Sequence, residues 1–274
     1  MVTCGVCGSP ADFMAKHPEA DLYRCRACTH CFSDAASVEA ERYAADYFDA
    51  AHQRWFAHPN IALFEAIAAT LPAGASVLDV GCGRGNFLRH LRGVRPDLEL
   101  TGIDLSSNPE TPGVRFRQGD FQTFPLDGPY DAIVSLAVIE HVADVGRFVE
   151  RLHALTRAGG TATVMTLNES SLLYLLARAG KRLGVSLAFD RLYSRHHLHH
   201  FTRASLRRLL EGHGFRVEAD MTHNAPLAAI DIPVTGPLAD LVLRSGMFVV
   251  CQAGAAIGRA YLQTVTCRKI AVMG

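Results

Sequence analysis

The sequence predicts an open α/β fold. Seven strands form a mostly parallel sheet with an antiparallel last strand, helices cover both faces, and a small cysteine-rich head precedes it. Three observations carry this. From residue 60 to about 220, short apolar runs alternate with amphipathic stretches, the pattern of strands joined by crossover helices. The run Val77-Leu78-Asp79-Val80 meets three glycines at every second position, Gly81-Cys82-Gly83-Arg84-Gly85. Five of the eight cysteines lie in the first 31 residues, four of them in CxxC pairs.

The head comes first, at residues 1–35. Cys4-Gly-Val-Cys7 and Cys25-Arg-Ala-Cys28 are two knuckles, and two knuckles complete a tetrahedral Cys4 site for structural Zn2+. Four thiolates leave no open position for catalysis, and so small a piece depends on its metal for folding. Cys31 reads as a small buried residue beside Phe32, and His30 as a surface residue. Residues 36–59 form a helical connector in which Tyr43, Tyr47, Phe48, Trp55 and Phe56 recur at helical spacing. This face either packs on the main domain or covers a ligand cleft as a lid.

The main domain is expected over 60–274. An amphipathic helix over 61–70 stops at Pro72, and the first strand is 76–80. A helix holds residues 87–91 after the glycine turn. Strands follow at 98–103, 114–118 and 130–135, then a helix over 145–156 and a fifth strand at 161–167. In such a sheet, ligands bind at the carboxyl ends of the strands. Three carboxylates arrive at that edge: Asp79, Asp104 and Asp120. Glycine lets the backbone approach a ligand closely, while Asp79 suits a cation better than a pyrophosphate. Asp104 is placed for the two hydroxyls of a ribose. Asp120 with Phe121 is placed for an exocyclic amine and a purine face.

Asp79-Val-Gly81-Cys-Gly83-Arg-Gly85, Asp104, Gly119-Asp120-Phe121 and Ile139-Glu140-His141-Val142 together resemble the class I S-adenosylmethionine-dependent methyltransferases, a Rossmann-like family, over about residues 60–220. The Cys4 head in front resembles the zinc ribbon of a bacterial subgroup. The resemblance implies S-adenosyl-L-methionine as cofactor, with Gly81 and Gly83 along its methionine part and Asp79 at its amino group. Cys82, Gly85 and Leu105 complete that lining, and Leu136 flanks the sulfonium.

An insertion over 168–200 lies where such domains shape the acceptor pocket. It contains Arg178, Lys181 and Arg182, then Arg195-His-His-Leu-His-His200. Histidine suits a base working near neutral pH. The candidates are His141, just past the fourth strand, then His197, His199 and His200; the alternative for His141 is a helix-start residue packed away with Glu140. Thr202 fits a helix cap ahead of residues 204–212. The last two strands are expected at 215–220 and 247–252, with a loop and short helix over 221–246. No function attaches to the tail after Ala253.

Residues 1–150 carry 12 basic and 20 acidic side chains, and the remainder 15 and 7. The excess charge either balances between solvated faces or turns the stretch from Arg178 to Arg208 toward an anionic acceptor. Only three lysines and an acidic amino-terminal half argue against nucleic acid. The absence of a signal segment or an apolar span leads to the expectation of a cytoplasmic protein. The expected activity is methyl transfer to a small-molecule acceptor at oxygen, such as a sugar, lipid-linked or polyketide-like intermediate. The alternatives are an RNA methyltransferase that uses the ribbon to bind RNA, and a non-catalytic cofactor-binding protein.

Overall fold

A computed structural model describes residues 2–34, 53–107, 110–230 and 236–270. The head contains four strands, β1 (Val2–Thr3), β2 (Pro10–Lys16), β3 (Asp21–Cys25) and β4 (Cys31–Ser33). Their sheet is completed from far along the chain. β10 (His199–His200) pairs antiparallel with β4, His199 opposite Phe32 and His200 opposite Cys31.

The main domain begins with α1 (Gln53–Ala57) and α2 (Ile61–Thr70). β5 (Ser76–Val80), α3 (Asn86–Val94), β6 (Glu99–Asp104), β7 (Val114–Gln118) and β8 (Tyr130–Leu136) follow. A short 3-10 helix, Ile139–His141, leads into α4 (Val145–Leu155) and β9 (Thr156–Leu167). The insertion forms α5 (Leu172–Arg182) and α6 (Leu187–Leu192). The chain continues through α7 (Arg203–Gly212), β11 (Phe215–His223), α8 (Pro237–Ala256) and β12 (Leu262–Lys269).

The seven main strands run in the order β11-β12-β9-β8-β5-β6-β7. All pairs from β9 to β7 are parallel, and β12 is antiparallel to both its neighbours. Chain order reverses between β5 and β8, the point at which a crevice opens in a doubly wound sheet. Successive residues of β5 feed opposite cores, as strand geometry requires. Leu78 and Val80 pack with Phe148 and Leu206 on one face, and Val77 packs with Leu88 and Tyr174 on the other. The caps follow the sequence. Asn60 accepts from Leu63 N at 3.2 Å, and Thr202 with Ser205 forms a reciprocal capping box on α7.

Two expectations fail here. Residues 247–252 are not a strand; they lie inside α8. The β-branched run Met247-Phe-Val-Val misleads because a short apolar run carries no period of its own, whereas Pro237 at the first turn starts a helix that continues to Ala256. The tail after Ala253 instead contributes β12, an interior strand of the sheet. His30 is completely buried, stacked on Phe32 and on His199 of β10. Of the expected helical connector, Tyr43, Tyr47 and Phe48 lie outside the described residues.

Candidate functional site

A large cavity, about 1220 Å³, opens at the carboxyl ends of β5, β6, β7, β8 and β9. The sequence fixes its floor. Gly81 and Gly83 adopt φ of +67° and +51°. A Cβ on Gly81 would stand 2.4 Å from Val138 Cγ2, and one on Gly83 would stand 2.8 Å from Phe56 Cε1. No side chain fits at either position, so bare backbone faces the cavity. Asp104 locks the turn, its Oδ2 accepting from Gly83 N at 2.8 Å while Oδ1 accepts from Ser106 N at 2.9 Å. Asp120 caps its own turn, accepting from Gln122 N at 2.9 Å. Phe121 packs edge-on against Phe148 under the Arg151 guanidinium.

Asp79 is 2 % exposed, and among the described residues no cation pairs with it. Burial first, and the Asp104 carboxylate second, hold its carboxyl well above the usual range. A bound ammonium would relieve that penalty. A bare glycine backbone, an uncompensated carboxylate and Asp104 beside them therefore fit the adenosyl amino acid. Cys82, Leu105 and Leu136 line the same cavity, as do Asp120 and Phe121. Gly85 does not; it holds the turn, donating to Cys82 O at 2.8 Å. From the connector, Trp55 and Phe56 also line the cavity, and Asn86 Nδ2 ties α1 down by donating to Phe56 O at 2.8 Å.

Of the histidine candidates, the structure brings His141 and His197 together at the cavity, with ring centroids 5.1 Å apart. His141 Nδ1 meets the His196 carbonyl at 2.5 Å, and since a carbonyl only accepts, Nδ1 carries a proton. His200 lies elsewhere. It is completely buried against Tyr193, its Nδ1 is 3.2 Å from Tyr174 Oη, and burial followed by the neighbouring His199 holds it down at about 3. It serves the junction between head and main domain.

Sequence reasoning also missed several groups. Glu140 lines the cavity, 2 % exposed, its Oε2 accepting from Thr166 Oγ1 at 2.8 Å. His17, Pro18 and Glu19, from the turn between β2 and β3, form part of the cavity wall. His17 Nδ1 accepts from Glu19 N at 3.1 Å, so Nε2 donates to the Asp190 carbonyl of α6 at 2.8 Å. Glu169 is a third case. Buried after β9, it takes Arg24 from the head and Arg178 from α5, and Tyr193 Oη at 2.8 Å. Glu140 stands in the Ile139–Val142 motif, but its burial is not written there; His17, Glu19 and Glu169 carry no motif, and only the folded chain joins them. The basic excess of the carboxyl half goes largely into pairs of this kind: Lys181 with Asp190, Arg203 with Asp220, Arg207 with Glu211. Arg191 is the basic side chain of the insertion that reaches the cavity.

The four thiols of the head converge. Cys7 Sγ lies 3.4 Å from Cys25 and 3.5 Å from Cys28, and Cys4 Sγ lies 3.6 Å from Cys28. Four sulfurs bonded at ~2.3 Å to one tetrahedral ion stand about 3.8 Å apart. The N–H groups of Ala27 and Cys28 both point to Cys25 Sγ at 3.4 Å. Burial pushes the Cys4 thiol up to about 11, a cost that a dication would offset. The cluster is compatible with a zinc ribbon. Cys31 is buried apart from it, its Sγ 3.6 Å from Met14 Sδ.

The profile of a methyltransferase domain family matches residues 48–220. A ubiquinone biosynthesis O-methyltransferase of Azorhizobium caulinodans is 33% identical over 118 residues, 39% of this chain and 46% of that protein. A tRNA (carboxymethyluridine(34)-5-O)-methyltransferase of Mus musculus is 34% identical over 132 residues, 44% of this chain and 18% of that protein. The chain thus spans less than half the length of either relative. Among solved structures, a Burkholderia thailandensis 1,6-didemethyltoxoflavin-N1-methyltransferase with bound S-adenosylhomocysteine superposes with a TM-score of 0.53 at 17% identity, covering 90% of this chain and 98% of that one. The putative methyltransferase bound to a Haloferax volcanii Trm112 activator gives 0.56 at 19% identity, covering 82% and 93%. Likeness at that level shows the fold. No helix among the described residues is long and apolar enough to cross a membrane.

Proposed function

The chain belongs to the S-adenosylmethionine-dependent methyltransferases, and on that premise we propose that it methylates a small-molecule acceptor at oxygen. The observation that carries this reading is the cavity itself. One end is the glycine turn with Asp79 and Asp104, and the other is an apolar chamber closed by α6, α8 and the head, with His141 and His197 in its wall. A volume of about 1220 Å³ exceeds the roughly 300–1,000 Å³ of ordinary ligand pockets. It suits a cofactor and an acceptor bound side by side.

In this reading S-adenosylmethionine supplies an electrophilic methyl group when bound. Asp79 holds its ammonium and the backbone at Gly81 and Gly83 packs along the methionine portion, with Cys82 beside them. Asp104 accepts from the ribose, for which its carboxylate retains lone pairs beyond those given to Gly83 and Ser106. Leu105, Asp120 and Phe121 enclose the adenine, and Leu136 stands by the sulfonium. Catalysis in such a site is mostly positioning and exclusion of water. Cys4, Cys7, Cys25 and Cys28 hold a structural zinc ion that keeps His17–Glu19 in the cavity wall. Arg191 gives an acceptor carboxylate or phosphate a partner.

The test is a transfer assay with methyl-labelled cofactor over phenols, sugar nucleotides, acyl carrier thioesters and bulk tRNA. Label in a hydroxyl-bearing small molecule supports the reading. Label in tRNA alone replaces it with the RNA reading, and no transfer to any acceptor favours a binding protein.

A further inference from the structure

We propose that Glu140, rather than a histidine, takes the proton from the acceptor's hydroxyl as the methyl group is transferred. The inference rests on the hydroxyl-acceptor reading above. Glu140 sits in the 3-10 helix immediately beyond β8, at the switch point of the sheet, and lines the cavity although only 2 % of it is exposed. Among the described residues it makes no ion pair. The one side chain that donates to it is Thr166 of β9, at 2.8 Å on Oε2. Its backbone is held separately, the carbonyl accepting from Leu198 N at 2.8 Å. The carboxylate is therefore fixed in place, short of donors, and open to a hydroxyl brought by a ligand.

The surroundings give it the chemistry of a base. Burial pushes the Glu140 carboxyl up to about 7, against the lowering effect of its own backbone N–H and the Thr166 hydroxyl. A base titrating near the working pH is the most effective kind. Tyr261 lines the same cavity, and burial followed by Glu140 keeps that phenol neutral. The neighbouring His141 turns its Nδ1–H away to the His196 carbonyl.

The step balances without another reactant. As the acceptor oxygen's electron pair forms the bond to the methyl carbon, the carbon–sulfur pair returns to sulfur and the hydroxyl proton moves to a Glu140 oxygen. A sulfonium and a carboxylate become a thioether and a carboxylic acid. The apolar chamber therefore ends the step holding no new charge, which a low-dielectric cavity favours.

The experiment compares wild type, Glu140→Gln, Glu140→Asp and His141→Gln with methyl-labelled cofactor and three probes: catechol, 4-hydroxybenzoate and UDP-glucose. Cofactor affinity is measured calorimetrically in parallel. Glutamine preserves the shape and still accepts from Thr166. The expected result is a fall in kcat of at least about 100-fold in Glu140→Gln, with cofactor affinity within twofold of wild type and partial recovery in Glu140→Asp. Wild type and His141→Gln lose rate as pH falls below about 7; the residual rate of Glu140→Gln does not. Glu140→Gln within threefold of wild type, or an acid limb that vanishes in His141→Gln instead, overturns the assignment. A wild type inactive on all three probes overturns the hydroxyl-acceptor reading, and this inference with it.

Discussion

Replacing Glu169 with alanine should loosen the head from the rest of the molecule, and the structure sets the size of the effect. The carboxylate is 2 % exposed and receives two guanidinium groups, Arg24 from β3 and Arg178 from α5, whose side chains are 29% and 21% exposed. Tyr193 Oη donates to it at 2.8 Å. Alanine leaves two like charges facing each other in a mostly buried site. Removing one partner of a buried pair costs about 3–5 kcal/mol. Because both guanidinium groups keep some solvent, the low end applies, ~3 kcal/mol. Glu169→Gln, which keeps an acceptor for Tyr193, should cost less. Arg24→Met leaves Glu169 paired with Arg178 and should cost ~1 kcal/mol. In the double variant Arg24→Met/Glu169→Ala the losses should not add, because one of the two stranded charges is gone. Urea unfolding followed by circular dichroism reads the stability, and chelator-driven zinc release reads the head. Glu169→Ala within 1 kcal/mol of wild type, with unchanged zinc release, would refute the view that this carboxylate ties head to insertion.

Further expectations follow from the same geometry. Purified protein should hold about one zinc per chain, and Cys7→Ser should lose it together with the acceptor-side wall, lowering stability while sparing the glycine turn; metal analysis with a cofactor titration checks both. His200, held down at about 3 by burial and then by His199, is neutral when folded, so no penalty exists above the unfolded pKa near ~6.5. Below that value the unfolded chain takes up the proton first, and stability falls with pH by up to ~1.4 kcal/mol per unit. His200→Asn should show a slope shallower by one proton between pH 6 and pH 4 in parallel urea titrations. At the glycine turn, Gly81→Val adds a branched side chain where even a Cβ stands 2.4 Å from Val138. It should abolish cofactor binding in calorimetry, and retained affinity would show that Val138 moves freely.

The parts legible in the sequence were those encoded locally. The order of β5 to β9 follows from alternating apolar runs, and the glycine turn from its spacing. The four knuckle cysteines, with two residues between the members of each pair, pointed to the cluster that the fold brings together. The parts that were not legible depend on distant pairing. β12 is an interior strand whose neighbours are about a hundred positions earlier at β9 and roughly forty to fifty earlier at β11, and nothing local marks it. The apolar run in α8 has β-branched residues yet lies on a 20-residue helix. His30 looked like a surface residue because its partner, His199, arrives 169 positions later. Glu140 was visible beside His141, but its cation-free burial belongs to the folded cavity and not to the motif.

Asp104 offers the most direct test that the glycine turn and the β6 edge hold an adenosyl ligand. Its two oxygens already fix Gly83 and Ser106, so Asp104→Asn weakens both the turn and the site for the ribose hydroxyls. Calorimetric titration with S-adenosylhomocysteine should show that wild type binds and that Asp104→Asn binds about 10- to 100-fold more weakly, the worth of one or two hydrogen bonds to a charged group. Equal affinity in the two proteins would contradict the account.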